Sequence, residues 1–250
     1  MSTDIAQTIL ITGASSDIGC ALIRSLLSRA NPPVVLAHSH RSGEKLRSLK
    51  AEFGKSLRLY EADFTQSTSV SAMADLIVSE VGTPSAMVHL PALRPSPERF
   101  TKFNWERFEA DLAVQLQSAV ILLQRFLPKM AKMPGARVVF ILSSYVHGVA
   151  PKYMTMYTTV KYAQLGLMRS LASEYDSTHV RINAISPSMV ETQFLSDLPE
   201  VAVQMQAASN PQKRNAAPSD LLGAIELLLS PASDYIQGIT IPITAGTHVY

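Results

Sequence analysis

What most constrains this chain is an alternation that runs from end to end, in which apolar runs of strand length are separated by longer segments of helical period. TILIT (8–12), VVLAH (34–38), LRLYEAD (57–63), AMVHL (86–90), RVVFILSS (137–144), VRINAIS (180–186) and ITIPI (239–243) read as strands. Helices are predicted over 18–29, 43–53, 67–81, 105–132, 153–175 and 219–229; in the long 105–132 segment Phe108, Leu112, Leu116, Ile121 and Leu123 are among the apolar positions. Such alternation predicts an α/β fold: a doubly wound parallel sheet of about seven strands with helices on both faces. No repeat and no linker rich in Pro, Gly or Ser divides the chain, so residues 1–250 are read as one domain. Residues 191–218, rich in Gln, Met and Ala, have the weakest strand signal and are expected to form a flap.

Composition narrows the function classes. Lys plus Arg total 22 against 20 Asp plus Glu, which gives no electrostatic case for a nucleic-acid binder. Cys20 is the only cysteine, so neither an internal disulfide nor a cysteine-based metal cluster can form. His89 and His147 lack a His-x-x-x-His or companion carboxylate pattern, and no metal site is expected. MSTDIAQ lacks the marks of a signal peptide, and no run nears eighteen apolar residues; no membrane association and a cytoplasmic location are the expectations.

A strand running into TGASSDIG (12–19) and then a helix is the setting for a dinucleotide turn, whose backbone N–H groups attract a pyrophosphate. The motif resembles the TGxxxGxG of the short-chain dehydrogenase/reductase family, with Gly13 and Gly19 matching and Asp17 in place of the middle glycine. The resemblance implies a Rossmann-type fold and a cofactor turn built from Gly13, Ser15, Ser16, Asp17, Ile18 and Gly19. Asp17 is read as a helix N-cap. At the second strand's end HSHRSGEK offers His38, Arg41 and Ser42 where an NAD enzyme would place an acid, and it looks like the 2′-phosphate site of NADP-dependent members such as the pteridine reductases. NADP(H) is therefore the expected cofactor. Asp63 and its neighbour Phe64 fall where the family contacts adenine, and Leu90, Pro91 and Ala92 of HLPA replace the family's NNAG.

Tyr157 and Lys161, in YTTVK, are four apart and share one helix face. With eight tyrosines, a Tyr-x-x-x-Lys pair arises by chance in roughly a third of such chains, so the pair needs support. Ser144 supplies it, standing thirteen residues upstream of Tyr157 at the family's spacing, with Ser143 as the fallback if the loop is offset. A lysine ammonium about 4 Å away is expected to favour tyrosinate by up to ~4 kcal/mol at an effective dielectric of ~20. SPSMVET (186–192) resembles PG-x-V-x-T, and so puts Pro187, Val190 and Thr192 near the nicotinamide; Tyr157 and Lys161 would reach the cofactor as well. The family's catalytic Asn falls on Gln115, which either holds the water that re-protonates the lysine or is a plain helix residue.

The resemblance covers nearly the whole chain and implies NADPH-dependent reduction of a carbonyl, or the reverse oxidation of a secondary alcohol. The substrate would be a small molecule or an acyl group on a carrier protein, which Lys129, Lys132, Arg137 and Arg169 could meet. A homodimer or homotetramer is implied by resemblance only. The alternative is a degenerate member that binds cofactor or scaffolds, since Asp17, HLPA, Gln115 and Ser188 all depart from the pattern. Trp105 with Phe100, Phe103 and Phe108 is read as core or subunit contact, and the charges from Arg94 to Glu109 as a solvated face.

Overall fold

A computed structural model describes residues 7–247. Seven parallel strands form one sheet in the order β3-β2-β1-β4-β5-β6-β7. They are β1 (Thr8–Thr12), β2 (Val34–Ser39), β3 (Leu57–Glu61), β4 (Ala86–His89), β5 (Arg137–Ile141), β6 (Arg181–Pro187) and β7 (Thr240–Ile243). The helices are α1 (Asp17–Leu27), α2 (Glu44–Phe53), α3 (Ser67–Glu80), α4 (Trp105–Leu112), α5 (Ser118–Met130), α6 (Thr155–Glu174), α7 (Glu200–Ser209) and α8 (Pro218–Leu229).

Alternate residues of each strand supply opposite faces. Ile9, Ile11, Val35, Ala37, Val88, Val139 and Ile185 pack with the apolar stripes of α1, α2 and α8. Leu10, Leu36, Met87, Val138, Phe140, Ile182 and Ala184 pack with α3, α5 and α6 on the other side. That is why the strands read as continuous apolar runs. β1 lies between β2 and β4, with Ile9 opposite both Val35 and Ala86. The chain reverses direction across the sheet there, and a crevice opens beyond the strands' C-terminal ends.

Four expectations change. The predicted 105–132 helix is interrupted by a π-helical turn at Ala113–Gln117, between α4 and α5, and ends at Met130. β5 stops at Ile141, before the two serines, and β3 stops at Glu61 because Asp63 opens a turn. The 191–218 segment contains α7, which no periodicity announced; its base is tied down by a parallel bridge between Val190 and Ala216. Arg137 cannot meet a carrier protein: on a central strand it is only 2% exposed, and its guanidinium is bonded to Asp234 and to backbone carbonyls. Lys129, Lys132 and Arg169 are exposed. Among the described residues no helix is long and apolar enough to cross a membrane.

Candidate active site

One cleft of about 450 Å³ occupies the crevice beyond β1 and β4. Gly13, Ser15, Ser16, Asp17 and Ile18 line one end; Ser143, Ser144, Tyr157 and Lys161 line the other. Leu90, Pro91 and Ala92 form its floor between them, and Pro187, Val190 and Thr192 face it from the β6 side. His38, Asp63 and Phe64 also line it, whereas Arg41 stands exposed on the loop after β2.

The nucleotide end is built by close approach. Gly13 has φ +69°, and a Cβ there would lie 2.9 Å from Pro91 N; at Gly19 a Cβ would lie 2.5 Å from Ala14 O. Both positions need glycine, one for conformation and contact, the other for contact alone. The N-cap is Ser16, not Asp17: the Ser16 hydroxyl accepts from Gly19 N at 3.1 Å. Asp17 opens the helix, and its two oxygens take Lys45 Nζ at 2.6 Å and Gln193 N at 2.7 Å. Burial pushes this carboxyl up, but those two bonds outweigh it and hold the group below the usual carboxylate range. The cleft therefore meets a neutralised carboxylate, itself pinned to the flap.

His38 is not a phosphate ligand. Gly13 N donates to its Nδ1 at 3.3 Å, so Nε2 carries the proton and donates to Ala62 O at 3.1 Å. The ring stacks on Phe64 with centroids 3.7 Å apart. Burial drops its pKa to about 4 and keeps it neutral. Asp63 is occupied too, its Oδ1 accepting from Thr65 N at 2.9 Å and Thr65 Oγ1 at 2.7 Å. Ser42 N donates to Glu61 Oε1 at 2.8 Å. Residues the sequence reasoning passed over take part instead: His40 lines the cleft, and so does Ser39, whose buried hydroxyl has no partner.

At the catalytic end Ser143 and Ser144 both line the cleft with Tyr157, and Ser143 favours the ionised phenol. β5 ends at Ile141, Ser143 continues the extended chain, and Ser144 begins a 3-10 turn, Ser144–Val146. Burial pushes the Tyr157 phenol well above its ordinary range; nearby Ser143 opposes that, and Tyr145 and Asp111 add to it. The expected tyrosinate is thus not favoured here. Lys161 Nζ lies 5.7 Å from the Tyr157 ring centroid and donates to Ile141 O at 2.9 Å and Gln164 Oε1 at 3.1 Å. Burial lowers the Lys161 pKa to about 8, opposed by Asp111. Gln115 does not reach Lys161 with its side chain: Nε2 donates to Asp111 Oδ1 at 2.5 Å, and Oε1 is buried without a partner. His89 is wholly buried, bonded to Thr12 Oγ1 and Gln115 O, and His147 bonds Ser186 Oγ at 2.7 Å. Phe108 joins the core while Trp105 and Phe100 are exposed.

Comparison with known proteins fits this geometry. Residues 13–248 match the family profile described as enoyl-(acyl carrier protein) reductase. Nodulation protein G of Azospirillum brasilense is 28% identical, with 98% of each chain covered. The 3-oxoacyl-[acyl-carrier-protein] reductase MabA of Mycobacterium tuberculosis is 26% identical, covering 97% of this chain and 93% of its own. Among solved structures, a tyrosine-to-phenylalanine variant of ElxO with NADPH bound superposes with a TM-score of 0.86 at 20% identity, over 97% of this chain and 98% of that one.

Proposed function

This chain belongs to the short-chain dehydrogenase/reductase family, and from that premise we propose that it uses NADPH to reduce a carbonyl compound, or runs the reverse oxidation of a secondary alcohol. One observation carries the reading: a single cleft joins a glycine-tight turn at a helix N-terminus to Ser143, Ser144 and Tyr157, with Lys161 beside them. The residues present fit a dinucleotide. Gly13 and Gly19 keep the turn tight, the N-terminal N–H groups of α1 favour an anion, and the orphaned Ser39 hydroxyl gains a partner when a polar ligand enters. Arg41, Ser42 and His40 on the loop after β2 supply the donors for a 2′-phosphate, and ElxO, a neighbour in fold, is described with NADPH bound.

When bound, the cofactor supplies hydride. Tyr157, held protonated by burial, donates its proton to the carbonyl oxygen, which suits reduction more than oxidation at neutral pH. The Ser144 hydroxyl, or Ser143 if the loop is offset, hydrogen-bonds the developing alkoxide, and Lys161 holds positive charge near it. Leu93, Pro95, Val114, Met154, Met189 and Leu198 make the remaining wall apolar, which favours a carbonyl on a hydrocarbon ring or acyl chain, free or carrier-bound. We place the enzyme in the cytoplasm as a homo-oligomer. Turnover with NADPH across a panel of cyclic and acyl ketones tests the reading: activity lost in Tyr157→Phe with cofactor binding kept supports it, and no turnover by the parent protein overturns it in favour of a scaffold.

A further inference from the structure

Tyr157, Lys161 and Gln164 follow one another along α6 at i, i+4 and i+7, so the three share a helix face. Gln164 is wholly buried. A buried amide costs free energy that an apolar residue would not, unless its polar atoms are bonded. Both of them are. Gln164 Oε1 accepts from Lys161 Nζ at 3.1 Å, and Nε2 donates to the Gln115 carbonyl at 3.0 Å. That carbonyl belongs to the π-helical turn and also accepts from His89 Nε2 at 2.9 Å.

We infer that Gln164 is a positioning residue that braces the Lys161 ammonium against the π-helical turn, without an intervening water. An ammonium has three N–H donors. Ile141 O takes one and Gln164 takes another, which leaves one for the cleft. The brace therefore selects which proton of Lys161 a ligand meets. Gln115 contributes its backbone to the brace, while its side chain is committed to Asp111. The charged and titratable groups around Lys161 are Asp111 from α4, His89 from β4 and Tyr157 from α6. Burial keeps His89 neutral, with a pKa of about 3, and Lys161 hydrogen-bonds to neither His89 nor Asp111, so neither replaces a bonded acceptor.

The inference deepens the proposed reductase reading and takes from it the role of Lys161, but its test needs neither substrate nor cofactor. Protein labelled with carbon-13 at lysine Cε is titrated by NMR, with the Lys161 resonance assigned by its loss in Lys161→Met. Gln164→Met removes the acceptor at nearly constant volume, and Gln164→Glu replaces it with a carboxylate. The brace predicts opposite displacements: Lys161 binds its proton about tenfold more weakly in the Met variant and about tenfold more tightly in the Glu variant. Shifts of the same sign, or none, in folded variants overturn it, and either folded variant alone suffices to show whether the acceptor matters. A protein that reduces no ketone would still give this titration, so failure of the brace and failure of the reductase reading are separable.

Discussion

At the nucleotide end of the cleft every titratable residue that departs from expectation is satisfied locally: Asp17 by Lys45 and Gln193 N, His38 by Gly13 N and Ala62 O, Asp63 by Thr65. At the catalytic end Lys161 and Asp111 also have partners, yet burial outweighs them, and Tyr157, Lys161 and Asp111 are all moved towards their uncharged forms. The first end is thereby set for rigid binding and the second for proton transfer. Residue identity alone does not separate these cases. Asp17 beside a pyrophosphate turn looks repulsive until its two partners are counted.

The sharpest way to break the contrast is Tyr157→Phe, which should lower turnover by about 10³-fold while cofactor affinity stays within measurement, as read from steady-state rates and fluorescence titration. Next, Ser144→Ala should cost on the order of 10²-fold in kcat and Ser143→Ala far less; the reverse order would show that the loop carries an offset. At the other end, acid should act through His38. Its folded pKa of about 4 lies below an unfolded value of about 6.5, so the unfolded chain binds the extra proton first. Stability is then full above about 6.5 and falls by up to about 3 kcal/mol as pH drops towards 4, and His38→Gln should flatten that part of a denaturation profile.

Alkali should act on the catalytic end: kcat declines as pH rises through about 8, where Lys161 loses its charge. The same depressed pKa makes folding stability rise between about 8 and the ~10.4 of an unfolded lysine, so activity and stability part company there. The smallest effect is expected from Asp17→Asn, which weakens the tie to Gln193 and should raise proteolytic cutting within residues 193–213 severalfold at neutral pH. Because the Asp17 pKa is lowered, the parent protein should keep that tie until pH falls below about 3.9.

The sheet was legible because both faces are covered, so each strand announces itself as an apolar run. Tyr157, Lys161, Gly13 and Gly19 were legible because helix spacing and turn chemistry admit few residue types. The choice between the serines was not, since both line the cleft and a spacing counted back from Tyr157 crosses a loop with a 3-10 turn. His38 was read as part of a phosphate site at the strand's end, although its side chain is buried and bonded to Gly13 N and Ala62 O. The π-helical turn has no periodic signature in Ala113–Gln117, and without it the Gln115 carbonyl gives no hint of its role. Gln164 did leave a trace, as a polar residue among Val160, Leu165 and Met168.

The central claim, one cleft that binds NADPH and presents it to Tyr157, is tested most directly by equilibrium titration of the parent protein and Arg41→Ala with NADPH and NADH, followed by cofactor fluorescence. The account predicts that the parent binds NADPH at least tenfold more tightly than NADH and that Arg41→Ala removes most of this preference, a difference of about 1.4 kcal/mol or more. Binding of neither cofactor, or equal binding of both that Arg41→Ala leaves unchanged, would contradict it.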